Sequence, residues 1–365
     1  MMKRIGKIFL LISVAALLLF SCEKSDEETP DSKRTVILDS DMVEGFDDGV
    51  AFMILLGAEN VDVKGQTTET GNVWAQEALA YGVRIGELCG GRKLTYIAGS
   101  QYPMAEGRLD RLNGQIDANP GVEASSYRGA VSSDEVKDWR TFYVGRYGRQ
   151  PEIQPSSQDA SEYIAQQVMS APGQVTILAI GPCTNVAKAI VAHPEIARKA
   201  KEIIYMGGAV YCPGNTTPYA ELNFLYDPEA AAICLRAPFP KQTIVSLDVC
   251  NTVNMDRHRF MEIYNSIDSE PIREMFRRNY AYELFEKDPD ANQLVWDLIS
   301  AIITIDSSII TEYKDVRLDV DDVPDSPTYG KVYETQLPSR QTVRVPLKID
   351  QDRFWNIVTS HLSRL

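Results

Sequence analysis

Histidine is scarce: the 365 residues contain three. His193 stands beside a proline-broken helix, His258 in a charged stretch and His361 at the C-terminus, so imidazole chemistry has little to draw on. The six cysteines match neither a zinc knuckle nor a CxxC redox pair. With Cys22 set aside, Cys89, Cys183, Cys212, Cys234 and Cys250 are odd in number, so at least one is a free thiol in an exported protein, and most are expected as small buried apolar residues. Basic charge is short too. Lys plus Arg number 37 against 51 Asp plus Glu, a net of −14 with no local basic patch, which repels phosphate backbones and excludes a nucleic-acid partner. No internal stretch reaches the roughly 20 apolar residues of a membrane helix, and there is no internal repeat. At 44% hydrophobic and 24% charged, the composition is that of a folded globular protein. The length suits two domains or one large α/β domain; no linker interrupts the body, which favours one.

The N-terminus has the layout of an export signal. Met1–Lys7 is basic, Ile8–Phe20 is nearly all apolar, and Leu19-Phe20-Ser21-Cys22 follows. This ending resembles the bacterial lipoprotein box, in which the cysteine carries the lipid. Residues 1–21 are therefore read as a lipoprotein signal peptide and Cys22 as its lipidation site. Residues 22–33, polar and acidic with Pro30, read as a flexible tether. The expected location is outside the inner membrane, periplasmic or on the cell surface. Residues 34–365 form the body.

Within the body, Thr35–Leu38 is a short β-branched run, as expected for a strand buried on both faces. Gly49–Leu56 reads as a helix, Val175–Ile180 as a second strand, and Thr184 as the N-cap of a helix over Asn185–Ala192. Ile203–Met206 and Thr243–Leu247 follow as strands with a helix, Asp227–Leu235, between them; Asp227 reads as its N-cap and Pro228 as its first residue. Alternation of this kind predicts a mostly parallel sheet covered by helices on both faces. Gln101–Gln158, rich in Gly, Pro and Ser, reads as loops and short helices over the core.

The informative constellation follows the first strand. Asp39-Ser40-Asp41-Met42-Val43-Glu44-Gly45-Phe46-Asp47-Asp48 sets five carboxylates just beyond a buried strand, where parallel α/β sheets bind ligands. Like charges this close repel unless neutralised, and carboxylates without His or Cys nearby favour a hard cation, Ca²⁺ or Mg²⁺. A solvated acidic loop with Asp47 or Asp48 capping the next helix accounts for the same residues.

An acidic start of this kind is similar to two families, the haloacid-dehalogenase-type phosphatases and the nucleoside hydrolases. Later motifs favour the second. Thr67-Thr68-Glu69-Thr70-Gly71-Asn72, Ile180-Gly-Pro-Cys-Thr-Asn185, Tyr205-Met206-Gly207-Gly208, Gly214-Asn215-Thr216-Thr217-Pro218, Glu221-Leu222-Asn223, Asp227-Pro228-Glu229-Ala230-Ala231, Thr342–Val345 and Ile349–Trp355 resemble the nucleoside-hydrolase pattern in order and spacing. The phosphatases' later lysine and acidic-pair signatures are missing.

The resemblance implies a three-layer α/β/α fold with a mostly parallel central sheet, and Ca²⁺-dependent hydrolysis of the N-glycosidic bond of ribonucleosides or a related ribosyl compound. It implies a Ca²⁺ held by Asp41, Asp48, Asp297 and the carbonyl of Ile180, with Asp41 as general base toward water. Asp47, Asn72, Asn215, Glu221 and Asn223 would bind ribose hydroxyls, with Met206 beside the sugar. The implied partner is a small ribonucleoside; the membrane is reached through the anchor, and a homo-oligomer stays open. The other functional reading is a ribonucleoside- or sugar-binding lipoprotein that keeps the metal site with little turnover.

Two departures stand out. The segment Met42–Phe46 is two residues longer than the family's commonest form. The histidine that precedes the late aspartate in many members is Trp296 here, leaving Tyr280, Tyr282 and Trp296 as candidates for the base-binding wall, with a core role open for each.

Overall fold

The computed structural model describes residues 33–365 except Phe46, Gly121 and residues 123–126, and says nothing of the Tyr280 side chain. The signal, the tether and Cys22 lie outside the described residues. Eleven strands follow in chain order: β1 (Arg34–Ser40), β2 (Val61–Thr68), β3 (Thr95–Ala98), β4 (Val175–Ala179), β5 (Glu202–Met206), β6 (Gln242–Val245), β7 (Asn254–Asp256), β8 (Asn292–Leu294), β9 (Ile310–Val320), β10 (Val332–Glu334) and β11 (Thr342–Ile349). Nine of them build one sheet in the order β10-β9-β11-β6-β5-β4-β1-β2-β3, and β7 pairs with β8 apart from it.

The sheet is parallel from β3 through β11, while β9 pairs antiparallel with both β11 and β10 at one edge. Strand β1 shows why helices cover both faces. Val36, Ile37 and Leu38 are fully buried; Val36 and Leu38 pack into one hydrophobic cluster and Ile37 into another, because alternate side chains leave opposite sides of a strand. Each such side chain contributes roughly 1.5–3 kcal/mol by leaving water. The three-layer arrangement expected from the sequence is the one observed, and Lys33–Leu365 forms one compact unit.

Most boundaries extend the expected runs by a residue or two. The strand expected over Thr243–Leu247 stops at Val245, and Leu247 already begins the short helix Leu247–Cys250. The segment Gln101–Gln158 carries the helices Arg108–Asp117 and Trp139–Tyr147 and a short 3-10 turn, Gly129–Ser132.

Topology places the site. From β1 the chain moves outward through β2 and β3, then returns to β4 on the other side of β1. Residues leaving β1 and β4 therefore emerge side by side: Asp39 stands opposite Ala179, and the Ile180 amide donates to the Asp39 carbonyl (2.9 Å). This reversal of strand order opens a crevice beyond the strand ends.

The next helix is capped differently from expectation. Thr184 is the first residue of Thr184–Ala192, and its hydroxyl donates to Asp227 Oδ2 (2.8 Å) instead of accepting a helix amide. The cap comes from outside: Glu69, just past β2, accepts the amides of Cys183 (2.7 Å) and Asn185 (3.0 Å). Asp227 does cap Pro228–Arg236 as expected, accepting the Ala230 amide. Replacing Glu69 by Ala strands two buried amides and is expected to cost about 2 kcal/mol. Denaturant unfolding of wild type and E69A measures it, and an unchanged midpoint refutes the capping role.

Candidate active site

The crevice gathers carboxylates that water would normally keep apart. Asp39, Asp41, Asp48 and Glu69 are fully buried, and Asp47, Glu221 and Asp297 nearly so. Asp41 accepts the Asn72 amide on Oδ2 (2.6 Å), and Asn72 Nδ2 donates to Asp48 Oδ2 (3.3 Å). Asp41 and Asp48 also lie within hydrogen-bond reach of each other. Gly71 makes this approach possible: a Cβ there would fall 2.2 Å from Asp41 Oδ2.

The electrostatics follow from burial. Loss of water pushes Asp41 up to about 6 and Asp39 to about 7, against the lowering effect of their hydrogen bonds. Burial and then the neighbouring carboxylates hold Asp48 and Asp297 well above the ordinary range. Glu69 is raised the same way, by burial first and then by Asp39, and burial takes Glu221 to about 7.

Whether a cation suits these residues can be judged from their orphaned atoms. Asp41, Asp48 and Asp297 each keep one buried carboxylate oxygen, Oδ1, with no hydrogen-bond partner. The Ile180 carbonyl, next in line after β4, accepts Asn223 Nδ2 (3.3 Å) and is not one of these unpartnered atoms. Among the described residues no three His, Cys, Asp or Glu side chains already stand at ligand spacing around one point. The unpartnered donors are nevertheless all oxygen and jointly anionic, a set that fits a hard divalent cation.

Beside them is a cavity of about 160 Å³ lined by Asn72, Met206, Asn215, Glu221, Asn223, Trp296 and Asp297, together with Tyr127, Thr216 and Leu222. Five of the six expected sugar-side residues, all but Asp47, thus share one wall system with Trp296 and Asp297. Asn223 Nδ2 donates to the carbonyls of Ile180 (3.3 Å) and Met206 (3.2 Å). Glu221 accepts the amides of Gly208, Asn223 and Phe224, which fixes the short helix Leu222–Tyr226. Asn215 Oδ1 accepts the Leu222 amide (3.1 Å).

Asp47 is placed differently from the sugar-binding expectation. It opens the helix Asp47–Gly57 but caps another, Asp297–Ile305, accepting the amides of Trp296, Asp297 (2.6 Å) and Leu298 (3.1 Å). Both its oxygens are spent on backbone, and it does not line the sugar-side cavity. Tyr282 lies elsewhere as well, packed against Phe260 and Tyr264. None of the three histidines lines the cavity: His193 pairs with Glu162, and His361 contacts the Ile357 carbonyl.

Four residues enter the site without having been assigned to it from sequence. Asp39 accepts Thr67 Oγ1 and Asn185 Nδ2 (2.8 Å) and braces the strand end. Glu69 and Asn185 lie inside the Gly-Asn and Gly-Pro-Cys-Thr-Asn motifs, so a signal for them existed. Tyr127 had none; its hydroxyl donates to Asn72 Oδ1 (3.0 Å) from the irregular segment after β3.

A family profile described as inosine-uridine preferring nucleoside hydrolase matches residues 36–356. The chain is 28% identical over 243 residues to probable uridine nucleosidase 2 of Oryza sativa subsp. japonica, covering 67% of this chain and 65% of that protein. It is 32% identical over 237 residues to pyrimidine-specific ribonucleoside hydrolase RihA of Salmonella arizonae, with coverages of 64% and 68%. It is 26% identical over 336 residues to the inosine-uridine preferring nucleoside hydrolase of Leishmania major, with coverages of 91% and 98%. The alignments thus span just under two thirds of the rice relative and nearly all of the Leishmania one. In fold, a plant nucleoside hydrolase superposes with a TM-score of 0.72 at 24% identity, over 90% of this chain and 99% of that one. The inosine-uridine preferring nucleoside hydrolase of Bacillus anthracis does so at 0.69 and 19%, over 91% and 100%.

Each raised carboxyl binds its proton more tightly folded than unfolded, so the folded chain holds more protons between about pH 4 and 7. Stability from these groups is complete below the ordinary carboxylate range and is lost as the pH rises through about 6 to 7. In chelator, the thermal midpoint should fall from pH 6 to pH 8, and a divalent cation should restore it at pH 8. A midpoint indifferent to both pH and cation would argue against the carboxylate cluster as a cation site.

Proposed function

The chain belongs to the inosine-uridine preferring nucleoside hydrolase family, and on that premise we propose that it hydrolyses the N-glycosidic bond of ribonucleosides to ribose and free base, with Ca²⁺ as its ion. The observation that carries this is the cavity in which Asn72, Asn215, Glu221, Asn223 and Asp297 converge beside the buried pair Asp41 and Asp48. Amides and carboxylates suit sugar hydroxyls, which both donate and accept.

Ca²⁺ would be held by Asp41, Asp48, Asp297 and the Ile180 carbonyl, an all-oxygen set that suits its flexible coordination. When bound, the ion supplies positive charge that offsets the carboxylates and acidifies water. The chain's own residues do the rest. Asp41, raised toward neutrality by burial and steered by the Asn72 amide, takes a proton from the attacking water as the glycosidic bond breaks through an oxocarbenium-like state, and the departing base leaves with the bond's electron pair and takes its proton from solvent. Asn72 and Asn223 orient the sugar, Met206 packs beside it, and Trp296 closes the wall from the end of the late helix.

Purified mature protein with a panel of ribonucleosides, read as reducing sugar, tests this proposal. Product that disappears with EDTA and returns with Ca²⁺ supports it; tight nucleoside binding without product would favour a binding protein instead. Asp41→Asn should lower the rate at least about 100-fold, the scale of general-base loss, while nucleoside affinity largely persists; near-normal turnover removes Asp41 from the role.

Export with a lipid on Cys22 belongs to the same proposal and is supported by the basic and apolar leader ending in Leu-Phe-Ser-Cys. Labelled fatty acid should enter the wild-type protein and not Cys22→Ser; equal labelling of both would remove the anchor.

A further inference from the structure

Tyr127 belongs to two cavities at once. It lines the 160 Å³ cavity with Asn72, Asn215 and Trp296, and also a neighbouring one of about 370 Å³ whose other walls are Val43, Glu44, Tyr81, Arg146, Arg278 and Asn279. The first alone falls below the roughly 300–1,000 Å³ that small-ligand sites occupy, and joined, the two fall within it. A substrate seated by its hydroxyls in the first would therefore project its leaving group past Tyr127 into the second.

The second cavity has the chemistry to receive it. Its charges are already paired: Arg146 donates through Nε (2.9 Å) and a terminal nitrogen (2.7 Å) to Glu44, and Arg278 pairs with Glu274. The Arg146 guanidinium lies 5.1 Å from the Tyr81 ring centre. What remains is a neutral surface of phenol rings and hydrogen-bonding groups, suited to a flat uncharged heterocycle more than to an anion. Tyr127 is 45% exposed, so its ring is not consumed by core packing. Its hydroxyl is held by Asn72, whose amide end reaches Asp48.

We propose that Tyr127 is the leaving-group contact of this site, its ring forming the wall against which the departing heterocycle lies while its hydroxyl orients the Asn72 amide. The proposal rests on the reading of the chain as a ribonucleoside hydrolase. It puts a specificity-determining residue on the irregular segment after β3, where no motif marks one.

The test uses full-length mature protein and the variants Tyr127→Ala and Tyr127→Phe, first checked by thermal unfolding. Calorimetry with inosine and with ribose alone gives each protein's preference for the nucleoside over the bare sugar. Tyr127→Ala should reduce that preference roughly tenfold, the scale of a lost aromatic contact, and Tyr127→Phe should retain it within about twofold. In turnover, Tyr127→Ala should raise KM and shift the ratio of kcat/KM between uridine and inosine by at least threefold, with Tyr127→Phe restoring the ratio, which follows the ring, whatever it does to KM through the lost bond to Asn72. An unchanged preference and ratio in Tyr127→Ala overturns the proposal; so does an equal loss on every substrate, which would leave Tyr127 only the task of holding Asn72. Failure of the parent reading looks different: the wild-type protein yields no ribose from any nucleoside, and the calorimetric comparison still decides whether Tyr127 meets the heterocycle.

Discussion

The arrangement turns on carboxylates being held out of water at the mouth of β1 and β4. Burial and mutual repulsion raise their proton affinities, and hydrogen bonds offset part of the cost: main-chain ones from Asn72 to Asp41, from Cys183 and Asn185 to Glu69, and from Trp296, Asp297 and Leu298 to Asp47, and side-chain ones from Thr67 and Asn185 to Asp39 and from Asn72 to Asp48. Helix beginnings are a ready source of such donors, because their first amides have no partner within the helix and carry partial positive charge. The acidic residues thus do two jobs. Those that cap helices set the scaffold, and Asp41, Asp48 and Asp297 keep an unpartnered oxygen in the crevice.

The segment between β3 and β4 both packs on the core, through Tyr143 and Ile153, and reaches the crevice, through Tyr127. Its helix Trp139–Tyr147 is tied to the loop after β1 by Glu44, which accepts from Arg146 and from the Tyr147 hydroxyl (2.7 Å). Glu44 is buried, so these charge-assisted bonds are worth more than a surface pair. The two residues by which this loop exceeds the commonest family length fall in the same Met42–Phe46 stretch that supplies the anchor.

How much of this could be read from the chain differs by residue. The parallel core was legible because β1, β4 and β5 are short β-branched runs flanked by polar turns, and Asp41, Asn72 and Asn223 were legible because each sits in a motif whose spacing survives. The helix-capping contact of Asp47 was not legible because local sequence shows only that an aspartate opens a helix; that it caps a helix about 250 positions later is decided by tertiary packing. Thr184 is the same case at closer range, displaced from its cap by a glutamate arriving from another strand. Tyr127 was invisible because its segment has neither helical nor strand periodicity, and the antiparallel turn of β9 against β11 depends on a connection whose direction no residue pattern encodes.

The grip of Asp47 on the Trp296–Leu298 backbone carries a consequence for how the protein comes into being. Residues bound for one centre are synthesised at opposite ends of the chain, and the late one is set in place only when its helix docks on the early one. Such distant pairing slows folding, because the ordering of the intervening chain precedes its reward. Once the first two thirds of the chain are made, most of the parallel strands exist, but the capped helix Asp297–Ile305 does not, so the crevice is completed by residues that come late in the sequence.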